Sequence, residues 1–332
     1  MPRTIYPLPL MRELALSSVR ETRPVALYTS GPAWEVVGPL LQLPEVWRAV
    51  PDEATEAAFA EHARSIPSEA QVIYAVGGGL AVDAAKIAMR DRGLPLVCVP
   101  TALSVDAFLT PASGIRRDGC VFYLETGAPN MVILDYEVLA AAPSWVRAAG
   151  LGDVLSIATG LWDWEFAQRE DHQAPGQEYQ AWAAGIARHL LDEAIVIAEG
   201  AGRGDHAALA RLLDLLALEV QLCNHIGHSR PEEGSEHIFA YSVENLTGHG
   251  LPHGDLVGPG IVGIAAAQGL DVAPLRHALE AGGARLHTIE PAHVEQTISH
   301  LSEYAERHRL PFGIAHAMTA DRQERALTAI LN

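Results

Sequence analysis

The densest chemistry in the first half of the chain is Val76-Gly77-Gly78-Gly79-Leu80-Ala81-Val82-Asp83-Ala84-Ala85-Lys86, an apolar run, three glycines and a helix start. Without Cβ atoms, the glycines let backbone N–H groups approach a pyrophosphate closely, and the helix N-terminus adds its positive dipole end. The run is neither the GxGxxG fingerprint nor a Walker loop, and a tight strand-to-helix connection has the same look. One further residue favours a phosphate site. Of the 23 Lys and Arg residues, Lys86 is the only lysine, and a lone lysine marks a position that wants a compact ammonium on a flexible stem. Gly77, Gly78, Gly79, Asp83 and Lys86 are therefore expected to bind a nucleotide. Pro100-Thr101-Ala102-Leu103-Ser104-Val105-Asp106 follows the next apolar run. Thr101 and Ser104 suit hydrogen bonds to a cofactor, and Asp106 suits orienting a substrate hydroxyl or a nicotinamide. The same residue types also serve as plain loop and helix caps.

The second half offers a metal constellation. Ser235-Glu236-His237 and Pro252-His253-Gly254-Asp255 supply two histidines, and Asp153 stands at a helix start behind Gly150-Leu151-Gly152. A metal bound by oxygen and imidazole needs about three protein ligands and an open position for substrate. The chain has 15 histidines, so local chemistry does not choose among them, and His249 competes with His253.

Composition bounds what these groups can serve. At 332 residues, 49% hydrophobic and 19% charged, the chain is long enough for two globular domains. Its formal charge of −18 repels phosphodiester backbones, which excludes nucleic acid as a partner. Cys98, Cys120 and Cys223 are few, odd in number and without CxxC spacing, as in a reducing compartment. The start MPRTIYPLPLMREL carries no signal-peptide pattern. No apolar run reaches the roughly 18–20 residues that cross a bilayer. A cytoplasmic protein without membrane contact is expected.

These residues must be positioned by two kinds of architecture. Val25–Thr29, Gln71–Val76, Leu94–Val99 and Met131–Leu134 are β-prone runs. Helical stretches at Ala33–Leu43 and about Ala81–Arg90 alternate with them, which predicts right-handed βαβ units, a parallel sheet, and ligands at the carboxyl ends of the strands. After about Gly150 the segments 153–168, 177–200, 205–226, 256–269 and 291–309 carry helical spacing. The expected fold is an α/β, Rossmann-like, parallel-sheet domain over 1–150 and an all-α metal- and substrate-binding domain over 151–332.

Five segments in order, GGGLAVDAAK (77–86), PTALSVDAF (100–108), AAGLGDVLSIATGLWDW (148–164), SRPEEGSEH (229–237) and HGD (253–255), resemble the dehydroquinate synthase-like and iron-containing alcohol dehydrogenase superfamily. Within it the chain looks most like the sn-glycerol-1-phosphate dehydrogenases, with glycerol dehydrogenases more distant. The resemblance runs from about residue 20 to 320. It implies that the three glycines cradle the pyrophosphate of NAD or NADP, that Thr101 and Ser104 contact the nucleotide, and that Asp106 sits at the substrate end. It implies that Asp153, His237 and His253 bind one divalent catalytic metal, zinc rather than iron, which removes His249 from the ligand set. It further implies a dehydrogenase acting on a small alcohol or ketone, and a homo-oligomer. At the end of the first strand Ser30-Gly31-Pro32 replaces the acid common in NAD-preferring relatives, so NADP is permitted. Two departures stand out. Glu232-Glu233 replace small residues after SRP, and Tyr241 replaces a histidine four positions after His237. Arg230 and His249 are the residues expected at the substrate. The leading expectation is reduction of dihydroxyacetone phosphate; the alternative is an unphosphorylated polyol or biosynthetic ketone. A third reading is a non-catalytic nucleotide and metal binder, against which the intact ligand set and Asp106 argue.

Overall fold

The computed structural model describes residues 4–248 and 251–332. Six strands form one parallel sheet: β1 (Leu10–Glu13), β2 (Val25–Thr29), β3 (Glu45–Ala49), β4 (Val72–Gly77), β5 (Leu96–Pro100) and β8 (Met131–Leu134), in the order β1-β8-β5-β4-β2-β3. Between them, β6 (Ala112–Arg117) and β7 (Cys120–Glu125) make a separate antiparallel hairpin.

The central strands β2, β4 and β5 are buried at every residue, which is why they read as continuous apolar runs rather than alternating ones. Alternation instead sorts side chains between two cores. Val25 and Leu27 of β2 pack with Val37, Leu41 and Val97 on one face of the sheet. Ala26 and Tyr28 face the other, against Phe59 and the helix Gly79–Arg92, in a core that continues into the helical half. That helix ends on Gly93, whose positive φ of 65° suits a residue without Cβ.

After Leu134 every regular element among the described residues is helical. The long helices Ala181–Arg203 and His206–Ile226 pack together, and Ser235–Thr247 packs on His253–Gln268. No described helix is long and apolar enough to cross a membrane.

The expected runs at Val25–Thr29 and Met131–Leu134 form strands over those residues. The helix expected over Ala33–Leu43 is shorter, Gly31–Val37, because Gly38 ends it. β1, β3, the hairpin and the helix Ser235–Thr247 are additions to the sequence reading.

Candidate active site

The carboxyl ends of β4 and β5 open onto a cavity of about 970 Å³ between the sheet and the helices. Gly79, Ser104, Asp106, Asp153, His237 and His253 all line it. Thus the turn after β4, the loop after β5 and the metal-type residues of the helical half meet in one cleft, as expected for an open parallel sheet.

The glycine turn has the space its sequence suggested. Gly77 lies at φ +143°, a conformation L side chains rarely adopt, and Ser30 packs beside it. A Cβ on Gly79 would stand 3.2 Å from Val105, filling the approach to the first turn of a 14-residue helix. The unpaired N–H groups of such a helix start, with nothing bulky before them, fit a pyrophosphate. At the end of β2, Gly31 leaves open space around its Cα. Thr101 is half-buried at the end of β5 and does not line the cavity.

Lys86 has a different place from the one expected. It is fully buried; its ammonium donates to Ala107 O at 2.9 Å, to Thr110 Oγ1 at 3.1 Å and to Ala112 O, and pairs with Asp83 at 3.2 Å. An ammonium has three protons, and all are taken. Lys86 therefore pins the segment leading from the β5 loop into the hairpin, and it does not reach a phosphate. Asp83 is its counter-ion and also faces the cavity.

Asp153, His237 and His253 present ligand atoms that all lie within 4.8 Å of one another. His253 Nε2 is 3.1 Å from Asp153 Oδ1. His237 Nδ1 is held 2.9 Å from Glu236 Oε1, which leaves Nε2 for a metal; a carboxylate behind a ligating imidazole fixes the ring and raises its basicity. Burial opposes charge on His237, but the hydrogen bond and charge of Glu236, with Glu233 and Asp153, outweigh it and carry the pKa up to about 9. One carboxylate and two imidazoles form a donor set suited to zinc or iron.

Glu236 is fully buried and also accepts from Gly234 N at 2.6 Å and Thr159 Oγ1 at 2.6 Å. Behind it, the buried Asp163 accepts from Ser235 N (2.7 Å), Ser235 Oγ (2.5 Å), Ile314 N (2.8 Å) and Gln268 Nε2 (3.0 Å). The two bonds from Ser235 fix the start of the helix that carries His237, and the other two tie that start to Ile314 and Gln268. Asp106 stands against the trio, its backbone N–H donating to Asp153 Oδ2 at 3.2 Å. Enclosure first, and the neighbouring Asp153 second, push the Asp106 carboxyl up to about 7.

The substrate residues expected from sequence fare differently. Arg230 is 4% exposed and donates to Phe312 O at 2.7 Å, with Asp163 and Glu236 as its neighbouring charges; it does not line the cavity. Its Nη2 is held by the scaffold behind His237, and its Nη1 is buried without a hydrogen-bond partner. His249 lies outside the described residues. Two residues that sequence reasoning did not assign face the cavity instead. Tyr241 donates to Glu233 and meets Tyr123 of the hairpin at 3.0 Å, while Ser229 Oγ donates to Glu233 at 2.7 Å.

A parallel α/β layer with a glycine turn, facing a helical layer with an Asp/His/His trio across one cleft, is the architecture of dehydrogenases that bring nucleotide and metal together. The comparisons with known proteins narrow that class. The family model for iron-containing alcohol dehydrogenase matches residues 41–143. The chain is 32% identical over 283 residues to the glycerol-1-phosphate dehydrogenase [NAD(P)+] of Thermofilum pendens, an alignment covering 83% of this chain and 78% of that one. With the enzyme of the same name from Methanosarcina mazei it shares 31% over 222 residues, 67% of this chain and 61% of the relative. The fold is similar to that of a probable glycerol dehydrogenase from Sinorhizobium meliloti, with TM-score 0.70, 20% identity, and coverage of 100% and 98% of the two chains. It is also similar to a sulfoacetaldehyde reductase from Bifidobacterium kashiwanohense solved with NAD+, with TM-score 0.64, 16% identity and 99% of each chain. The chain belongs to the iron-containing alcohol dehydrogenase superfamily.

Proposed function

We propose that the protein is a metal-dependent, NAD(P)-linked dehydrogenase that interconverts a small secondary alcohol and its ketone, and that its substrate is unphosphorylated. The convergence of the glycine turn, Asp106 and the Asp153/His237/His253 trio on one cavity supports the reaction class. A bound metal would supply Lewis acidity to the reacting oxygen, and hydride transfer belongs to the nicotinamide. The chain's own part is to hold and orient. Glu236 aims His237, the first turn of Gly79–Arg92 offers N–H groups to the cofactor phosphates, and the cleft aligns the reacting carbons and limits water.

The two relatives from Thermofilum pendens and Methanosarcina mazei act, by their names, on glycerol 1-phosphate, and the resemblance made the phosphate ester the leading expectation. One observation favours the other reading. Among the described residues lining the cavity, Arg116 is the only Arg or Lys. Its guanidinium is held by both Glu244 oxygens, at 3.0 and 3.1 Å, and Asp106, Asp153, Glu232 and Glu233 line the metal end. A phosphate dianion there meets acidic side chains at short range in a low-dielectric cleft, with no unpaired Arg or Lys among the described lining residues to offset them.

His237→Ala tests the reaction class. Metal content, read by elemental analysis, is expected to fall to background and turnover with it, while NAD(P)H binding read by fluorescence stays close to the parent. Full activity in the variant would overturn the assignment.

A further inference from the structure

We propose that the cavity carries an ammonium subsite on Glu232, backed by the buried Glu219, which does not itself line the cavity, so that the preferred substrate is an amino alcohol, a small carbinol bearing a protonated amine on a neighbouring carbon. The inference rests on the dehydrogenase reading above and names the substrate class of the same site.

Glu219 lies on the helix His206–Ile226, four residues before Cys223, and so on the same face. It is 2% exposed, and neither carboxylate oxygen has a hydrogen-bond partner among the described residues. Glu232, on the loop before Ser235–Thr247, lines the cavity, and its Oε2 is likewise enclosed and unpartnered. The Cys223 thiol, which also lines the cavity, donates to Glu232. Burial first, then Glu232, Asp106 and Asp153 for Glu219 and Asp106, Glu233 and Asp153 for Glu232, push both carboxyls well above their usual range, so a cation beside them is what would hold them ionised.

Three carboxylate oxygens are thus buried without donors. Native proteins seldom leave such groups unmet, because each costs the desolvation of a polar or charged atom. By contrast Glu233, next in sequence, is satisfied by Ser229 and Tyr241. What the unmet oxygens lack is a donor with several protons and a positive charge, and an ammonium supplies three. Of the nearby cations, Arg116 pairs with Glu244 and Lys86 holds the hairpin entry. Arg230 donates to Phe312 O through Nη2, and although its Nη1 is unpartnered, the charges acting on it are Asp163, Glu236 and Glu233 rather than Glu219 or Glu232. The donor must therefore arrive with the ligand. Oxidation of such a substrate moves a hydride from its carbinol carbon to NAD(P)+ and releases the hydroxyl proton, leaving the C=O of an amino ketone; the amine takes no part in the redox step.

Three probes differ only in one substituent: 3-aminopropane-1,2-diol, glycerol and glycerol 1-phosphate. With zinc-loaded protein and NAD(P)+ at pH 7, kcat/KM is expected to be at least tenfold higher for the amine than for glycerol, with the phosphate ester last. Glu232→Gln, close in shape and without the charge, should bring the amine-to-glycerol ratio near one, and Glu219→Gln should lower it in the same direction. Calorimetry separates this inference from the dehydrogenase reading. Saturable binding of the amine to the zinc- and NAD(P)+-loaded protein, weakened at least tenfold in Glu232→Gln, upholds the subsite even if no probe is turned over. Equal or better binding of glycerol or its phosphate overturns it. So does a second equivalent of zinc that is lost in Glu232→Gln, which would assign these carboxylates to a metal.

Discussion

At the residue scale, some side chains act through others. Glu236 does not line the cavity, yet by holding Nδ1 of His237 it leaves Nε2 to face the other two residues of the trio. Carboxylates behind metal-bound histidines typically contribute 10–100-fold in affinity. Glu236→Gln is therefore expected to weaken zinc binding about 10–100-fold in competition with a chelator, and unchanged affinity would contradict the orienting role. His228 gives a second test. Burial, helped by the nearby Arg230 cation, lowers its pKa to about 4, so the folded protein keeps it neutral where the unfolded chain, near 6.5, takes up a proton. Between pH 6.5 and about 4 the unfolded state binds more protons, and stability falls as pH falls. His228→Asn should show a flatter decline of melting temperature over that window; an identical slope would place the acid sensitivity elsewhere. Of these residues, the sequence displayed His237 and its neighbour Glu236 plainly. It could not show that Arg230 turns away from the cavity, because that depends on Phe312, 82 positions on.

At the element scale, legibility followed how local each signal was. Strand, glycine turn and helix lie within 21 residues from Val72 to Arg92, and the reading of that unit needed nothing distant. The helix Ser235–Thr247 gave no amphipathic signal because Ser235 through Val243 are all buried, so no polar face marks it. The hairpin was readable in principle. Its turn is Asp118-Gly119, both at positive φ (52° and 74°), the Asp-Gly pair that two-residue hairpin loops favour. Lys86 drew attention as the sole lysine, but its partners Ala107, Thr110 and Ala112 are set by that hairpin, so its task followed from packing. Two outcomes test these elements. Asp163→Ala leaves the Ser235, Ile314 and Gln268 donors without their acceptor and is expected to cost on the order of 3 kcal/mol in urea unfolding, with weaker zinc binding; a change of a few tenths would refute its part in fixing the helix. Gly79→Val places a branched side chain against Val105 and across the helix start. The dissociation constant for NAD(P)H should rise at least tenfold with metal content unchanged, and parallel loss of both would mean general disruption instead.

At the scale of the whole molecule, the glycine turn of the sheet and the Asp153, His237 and His253 trio of the helical half face one cleft. The net charge of −18 does not by itself exclude an anionic substrate, since a local cationic pocket would suffice. What matters is that the cavity has no such pocket among the described residues: its one arginine is bound to Glu244. Family membership fixes the chemistry more closely than the substrate, because the metal and nucleotide positions recur while the wall around them varies. Here that wall is acidic.

The most direct test is NADH and NADPH oxidation by zinc-loaded protein with dihydroxyacetone, against dihydroxyacetone phosphate and a metal-stripped control. Metal-dependent turnover is expected, higher with the unphosphorylated ketone. Efficient metal-dependent turnover of the phosphate ester in preference would contradict it, and would show that the carboxylate-lined cavity accepts a dianion.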